Sequence, residues 1–173
     1  MKRTFVVAGF LTAAALASTA YLNACGDKSL AAGGIRIQRA LAARYPASIL
    51  IYTPLTSRLS GATRELKLQD TLRKVGHKYR EVLTASELQA SVDTGQFNII
   101  LADFADFTEL QQKFESPSSR VVVVPVAYKL TKAETAEAAK QSRFLIKAPG
   151  REAQTLGTIV EAVRSRNGSP RKG

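Results

Sequence analysis

The chain has 173 residues, of which 45% are hydrophobic and 23% charged, so it can bury one ordinary core of about 120 residues once its ends are set aside. The single cysteine excludes a disulfide bond within the chain. A formal net charge of +11 favours anionic partners, and nucleic acid, an anionic membrane and acidic polysaccharide all fit that description.

The N-terminal stretch MKRTFVVAGFLTAAALASTAYLNAC combines a basic start, an apolar run and small residues before Cys25. This order is typical of a secretory signal. The apolar run, Phe5 to Ala17, is too short and too diluted by Ala, Ser and Thr for a permanent membrane span. We therefore expect residues 1–24 to be a signal peptide and the mature protein to be exported to the cell envelope or periplasm.

The residues LNAC, which end at Cys25, resemble the lipobox of bacterial lipoproteins. In that family, cleavage before the cysteine follows attachment of lipid to its sulfur. Leu22 and Ala24 match the pattern, whereas Asn23 is a less usual occupant, and cleavage after Ala20 by the ordinary signal peptidase is the alternative. The resemblance implies membrane anchoring through a lipidated Cys25.

The segment after the signal is predicted to be a tether that leads into a short basic helix. Residues 25–46 begin with small residues, then carry Arg36, Arg39 and Arg44 before Pro46 ends the helix. Residues 47–165 are predicted to form the folded domain, and residues 166–173 a disordered basic tail.

From Ser48 onward, short apolar runs alternate with amphipathic segments. The predicted strands cover residues 48–53, 78–84, 97–103, 120–128 and 143–148. The predicted helices cover residues 62–76, 85–95, 106–115, 131–141 and 151–166. Asp106 and Glu109 have the spacing of a capping box at the start of the third helix. Strands of continuous apolar character, each followed by a helix, predict one parallel sheet covered on both faces.

Two strand ends carry the chemistry of a known family. The third strand, FNIILAD, ends in Asp103, and the fifth contains FLIKAP, with Phe144 and Lys147 three residues apart. This pattern resembles the response-regulator receiver domain, in which the third strand ends in the phosphoacceptor aspartate and the fifth carries an aromatic switch residue and an invariant lysine. The resemblance implies an α/β three-layer sandwich with one doubly wound five-stranded sheet of order 2-1-3-4-5, as in flavodoxins and receivers.

The departures from the receiver pattern concern its metal and its switch. Receivers hold Mg²⁺ with an acidic pair after the first strand, where this chain has Tyr52 and Thr53. The hydroxyl residue that ends their fourth strand appears here as Pro125. We therefore expect no metal, no catalytic residue and a degenerate, non-enzymatic receiver-like domain. Asp103 is expected either to pair with Lys147 or to accept hydrogen bonds from the loop after the third strand.

Two alternative functions stay open at this stage. One is a working phosphoacceptor that uses Asp103 in phosphorelay signalling. The other is a small FMN protein, because Ser60, Gly61 and Thr63 match the end of the flavodoxin phosphate-binding pattern, which implies an anion at a helix start. Ser60 also suits a helix N-cap. The chain lacks Trp and offers only Tyr128 as an evident ring for a flavin, so we expect no cofactor.

The expected partner is an unidentified envelope protein or an anionic ligand, besides the membrane itself, and nucleic acid is not expected. By analogy with receivers, the contact surface comprises the fourth strand, the helix over residues 131–141 and the fifth strand. His77 lies before the second strand with no second His or Cys nearby, so it is expected at the surface without a metal.

Overall fold

The computed structural model describes residues 26–115, 119 and 121–167. Within them, five parallel strands form one sheet of order β2-β1-β3-β4-β5, which confirms the predicted fold class. The strands are β1 (Ser48–Tyr52), β2 (Lys78–Val82), β3 (Ile99–Asp103), β4 (Val122–Tyr128) and β5 (Ile146–Ala148). β3 is buried along its whole length, as its uninterrupted apolar sequence predicts for a central strand.

Seven α-helices connect or precede the strands in the described part of the chain. They are α1 (Gly26–Arg44), α2 (Leu59–Glu65), α3 (Leu68–Lys74), α4 (Ala85–Asp93), α5 (Phe107–Phe114), α6 (Lys132–Gln141) and α7 (Glu152–Asn167). A short 3-10 helix, Phe104–Asp106, joins β3 directly to α5.

The single helix predicted over residues 62–76 is wrong, because two helices occupy this region and meet at Lys67. Lys67 adopts the left-handed conformation, with φ of 47° and ψ of 42°. The sequence explains the break. Buried residues recur at helical spacing from Leu59 to Leu66 and again from Leu68 to Val75, but the step from Leu66 to Leu68 is not a helical spacing. The break lets both apolar faces turn toward the sheet.

Two apolar layers sandwich the sheet. The first contains residues of α2, α3 and α7, and the second contains residues of α4 and α5. A third cluster brings Ala42 of α1 together with Val75, Leu156 and Val160. The last part of α1 therefore packs on the domain.

Pro125 lies inside β4 although that strand runs between β3 and β5. Val122 donates its N–H to the carbonyl of Asn98, the residue before β3. Val123 instead donates to the Glu115 carboxylate at 2.6 Å and Lys129 donates to β5, so the N–H groups of odd-numbered residues of β4 face away from β3. The backbone nitrogen of Pro125 therefore faces β5. However, β5 starts at Ile146, which pairs with Val126, so no residue of β5 lies opposite Pro125. Its missing N–H therefore removes no bond from the ladder.

Helices α1 and α7 begin and end the described part of the chain, and residues 34–167 belong to one compact unit. The predicted tether is helical from Gly26 onward, and α7 continues to Asn167, two residues into the predicted tail. The signal segment, Cys25 and residues 168–173 lie outside the described residues. Among the described helices, none has the length and hydropathy of a membrane span.

Candidate functional site

The carboxyl ends of the parallel strands bring Tyr52, Asp103 and Lys147 to one edge of the sheet. Asp103 is the last residue of β3 and only 6% of its surface is exposed. A carboxylate this deeply buried needs hydrogen-bond donors to replace water.

Three donors surround the Asp103 carboxylate. Its Oδ2 accepts from the backbone N–H of Arg58 at 2.8 Å and from the Ser57 hydroxyl at 3.2 Å. Its Oδ1 accepts from the N–H of Ala105 at 3.2 Å. The Ser57 oxygen in turn accepts from the N–H of Leu59, the first residue of α2, at 3.0 Å. Asp103 thus ties the β1–α2 loop, residues 53–58, and the start of α2 to the end of β3.

Lys147 does not take part in this arrangement. It is exposed on the edge strand β5, and the described residues show no ion pair between it and Asp103. The expected Asp103–Lys147 pair is therefore absent from the described structure. The bond from Ala105 matches the other expectation, a hydrogen bond from the loop after β3. The bonds from Ser57 and Arg58 were not predicted.

Asp106 and Glu109 lie close to this carboxylate and to Tyr52. Burial, with the nearby charges of Asp103 and Glu109, raises the pKa of Asp106 above its usual range. Burial, with the nearby charges of Asp106 and Glu109, raises the pKa of Tyr52. The capping box predicted for Asp106 and Glu109 is wrong, because Asp106 has helical dihedral angles at the end of the 3-10 helix and its side chain caps nothing.

Metal binding finds little support at this edge. The end of β1 supplies Tyr52, which is half-buried, and Thr53, which is buried, and neither carries a carboxylate. Among the described residues, no group of three or more His, Cys, Asp or Glu side chains has the arrangement that could hold a metal ion. Mg²⁺ would find Asp103 already engaged by three donors.

The fourth strand does not end at Pro125. Val126, one residue later, pairs with Asp103, and the strand continues to Tyr128. Tyr128 therefore carries the only side-chain hydroxyl in β4, and its ring covers Gly61. A Cβ on Gly61 would lie 2.8 Å from the ring, so glycine allows this close contact.

Two cations lie over aromatic rings near the ends of β4 and β5. The Lys129 ammonium is 4.9 Å from the centre of the Tyr128 ring, and a hydrogen bond with Tyr128 raises the pKa of Lys129. The Arg143 guanidinium is 5.4 Å from the ring of the half-buried Phe144. Arg143 covers the residue that stands at the aromatic switch position in the receiver resemblance.

The three residues predicted to form an anion-binding loop lie inside α2. The Thr63 hydroxyl donates to the carbonyl of Ser60 at 2.9 Å, and the N-cap is Arg58 rather than Ser60. The amides of Arg58 and Leu59 are bonded to Asp103 and Ser57. A carboxylate thus occupies the helix start where the flavodoxin comparison would place a phosphate.

Ser57 is the residue of this site that the sequence interpretation missed. The available signal was a hydroxyl residue two positions before a helix, which often bonds to local backbone.

His77 was predicted to lie at the surface, which is wrong, because it is buried with 4% of its surface exposed. Its Nδ1 accepts from the N–H of Ala47 at 3.1 Å, and its Nε2 has no partner among the described residues. Burial lowers the pKa of His77 to about 4.

Comparison with known proteins supports the fold alone. No protein-family model matches the chain, and no curated protein matches it. A crystal structure described as a two-component system response regulator/GGDEF domain protein is similar, with a TM-score of 0.54 and 15% identity. The match covers 79% of this chain and 56% of that one, so this chain spans little more than half of its length. A response regulator receiver protein from Burkholderia phymatum matches with a TM-score of 0.49 and 13% identity, over 68% of this chain and 95% of that one.

Proposed function

We propose that this receiver-like domain acts by binding and does not transfer phosphate. The observation that carries the proposal is the engagement of Asp103. Both of its carboxylate oxygens accept hydrogen bonds that fix neighbouring loops, so a phosphoryl group on either oxygen would disturb the contacts that hold those loops. Asp103 then serves as a structural acceptor at the place where receivers keep a nucleophile.

The surroundings of Asp103 support the same conclusion. Phosphoryl transfer relies on cations that neutralise the developing charge. Here the charged neighbours that raise the pKa of Asp106 are the acids Asp103 and Glu109, and the side chain of Lys147 is exposed to solvent. A phosphoryl group on Asp103 would add negative charge beside Asp106 and Glu109, and β1 supplies no acidic pair to hold a metal ion that would compensate this charge.

The test is chemical phosphorylation of the purified chain. Acetyl phosphate and Mg²⁺ are added to the wild type and to Asp103→Asn, and intact masses are measured. We expect no phosphoryl adduct on either protein. A stoichiometric adduct on the wild type that is lost in Asp103→Asn would contradict the proposal and establish the phosphoacceptor alternative. A yellow protein with a flavin absorbance spectrum would establish the FMN alternative.

The proposal includes an envelope location, with the chain anchored by lipid on Cys25. It is supported by the signal-like N-terminal sequence and the resemblance of LNAC to a lipobox. The test is the mass of the mature protein from membranes of the native host. We expect the mature chain to begin at Cys25 and to carry lipid. The Cys25→Ser variant should be absent from the membrane fraction. A chain with Met1 retained and no lipid would contradict this location.

The proposed partner surface consists of β4, α6 and β5. Lys129 and Arg143 lie over the rings of the half-buried Tyr128 and Phe144 there, and Lys147 is exposed on β5. Cations beside aromatic rings suit an acidic protein segment. A site-specific crosslinker in place of Lys147 should capture a partner in envelopes, and adding Arg143→Glu should abolish capture, whereas Lys113→Glu on α5 should not. Equal capture by both variants would exclude this surface.

A further inference from the structure

Helix α1 has an inner face that the domain holds in place. Ala42 is fully buried, and Ile35, Leu41 and Tyr45 pack against the cluster that it shares with α7. The ring of Tyr45 also lies 5.8 Å from the Arg164 guanidinium. The orientation of α1 from Gly34 onward is therefore fixed. These contacts also determine which residues of α1 form its outer face.

The outer face of α1 is cationic and carries no acid. At about 100° per residue, six positions fall on one side of the helix. These outer-face residues are Arg36, Ile37, Arg39, Ala40, Ala43 and Arg44, and all are exposed. The segment from Gly34 to Arg44 contains no Asp or Glu, and the one acid in the sequence of α1, Asp27, precedes it.

Two of the three arginines on this face have no partner among the residues that the structure describes. Arg39 forms a bidentate pair with Glu152, with both N–O distances at 2.9 Å. Arg36 and Arg44 form neither a hydrogen bond nor an ion pair within the described ranges. Ile37, beside them, exposes 61% of its surface, so an apolar side chain lies among the arginines of this face.

We infer that the outer face of α1 lies on an anionic lipid surface, with Arg36 and Arg44 on headgroup phosphates and Ile37 inserted between lipids. Arginines around an apolar residue, next to small alanines, form the kind of helix face that binds the interface of a membrane. The inference rests on the proposed envelope tether, since Cys25 precedes Gly34 by nine residues in the sequence. A tether raises the effective concentration of lipid, so a weak intrinsic affinity is sufficient.

The experiment removes the proposed lipid anchor at Cys25 and measures the lipid affinity of the outer face by itself. All five strands and all three apolar clusters lie between residues 34 and 167, so a chain from Gly26 to Gly173 retains the complete domain. Its binding to vesicles of phosphatidylglycerol and phosphatidylcholine is measured by sedimentation, with pure phosphatidylcholine as the reference. This chain lacks Cys25 and the signal segment, so a failure to bind vesicles would not contradict the proposed envelope location. That location is tested separately, by the mass and membrane fractionation of the full chain.

We expect binding to the anionic vesicles that weakens with salt. Arg36→Gln with Arg44→Gln should reduce the partition coefficient about thirtyfold. Each basic residue at a membrane surface contributes about 1 kcal/mol, and about 1.4 kcal/mol corresponds to a factor of ten. The matched control, Lys113→Gln with Lys132→Gln, removes the same charge from α5 and α6 and should change binding by less than about threefold. Equal losses in both double variants, or no binding to anionic vesicles, would overturn the inference.

A spectroscopic readout locates the contact independently of affinity. The chain from Gly26 contains no cysteine, so a single environment-sensitive fluorophore can be placed on Ala40→Cys in the outer face, or on Ala90→Cys in α4 on the opposite layer. We expect an emission blue shift on anionic vesicles only from the Ala40→Cys probe. A shift from the Ala90→Cys probe alone would place the lipid contact on another face and contradict the inference.

Discussion

The two ends of the sheet each bury one ionisable side chain, and they treat it differently. At the carboxyl end, Asp103 accepts hydrogen bonds from three donors on two loops. At the opposite end, before β2, His77 has one hydrogen bond, from Ala47, and a buried Nε2 without a partner among the described residues. Asp103 therefore contributes to the architecture, whereas His77 is a point of weakness.

The proposed function gives Asp103 a different role from that of the aspartate at the same position in receivers. In the receiver resemblance the aspartate at the end of the third strand is a nucleophile, but here the β1–α2 loop closes over it with Ser57 and Arg58. A group that holds two loops together is poorly placed for chemistry that would release them. Substitutions at the two ends, and a fall in pH, test this contrast.

Asp103→Ala is expected to have the largest effect. It leaves the N–H groups of Arg58 and Ala105 and the Ser57 hydroxyl without their acceptor in a buried place, and should lower the free energy of unfolding by about 4 kcal/mol. Denaturant unfolding at pH 7 measures this loss. A change below about 1 kcal/mol would show that Asp103 is not a structural acceptor.

Acidification is expected to have the next largest effect, through His77. Its pKa of about 4 in the folded chain lies below the usual value, so the unfolded chain binds the proton more tightly. Stability is therefore complete above about pH 6.5 and is lost as the pH falls toward 4, by about 3 kcal/mol. The loss is measured by denaturant unfolding at a series of pH values.

The control for this prediction is His77→Leu. The carboxylates of Glu87 and Glu134, whose pKa values are lowered by hydrogen bonds at their helix caps, also lose stabilising contacts in acid. The wild type must therefore be compared with the variant at each pH. We expect His77→Leu to have a lower stability at pH 7 but a flatter pH dependence, and parallel curves would exclude His77 as the cause.

Asp103→Asn should be intermediate. The amide presents one oxygen and one NH₂ group, so at least one of the donors around it meets another donor, and we expect a loss of about 2 kcal/mol with the fold retained. Comparison of far-UV circular dichroism with unfolding data checks both parts. A loss as large as that of Asp103→Ala would mean that the negative charge, rather than the number of acceptors, holds the loops.

Ser57→Ala is expected to have the smallest effect, about 1 kcal/mol, because it removes one donor to Asp103 and the acceptor for the N–H of Leu59. Ser60→Ala is the matched control, since its hydroxyl forms no hydrogen bond with the described residues and alanine is a good helix former. Equal unfolding energies for the two variants would show that the Ser57 hydroxyl adds nothing to the Asp103 site.

Much of the fold could be predicted because apolar strands and cap residues report it locally. The continuous run at Ile99–Asp103 identifies a central parallel strand, and Thr84 and Thr131 form capping boxes with Glu87 and Glu134. The break at Lys67 could also have been read, because the apolar spacing restarts at Leu68. Spacing alone misled at Asp106, where the 3-10 helix removes the extended N-cap geometry that a capping box requires.

The site was harder to predict than the fold. The sequence indicates which residues reach the carboxyl edge, but partners depend on the path of the loop. Ser57 and Arg58 reach Asp103 only because the loop turns at Pro54, whose carbonyl accepts from the N–H of Ser57 at 2.8 Å. His77 gave no signal of burial, since a polar residue after a glycine is usually exposed.

The most direct test of the central claim is the response of the Asp103 partners to a phosphoryl mimic. Backbone amide resonances of Arg58 and Ala105 are followed by NMR while Mg²⁺ and beryllofluoride are added to the wild type. If Asp103 is a structural acceptor, both resonances should stay in place at the highest concentrations of the mimic, and also with Mg²⁺ alone. Large, saturable shifts of both amides, absent in Asp103→Asn, would show that Asp103 binds the mimic and would contradict the account.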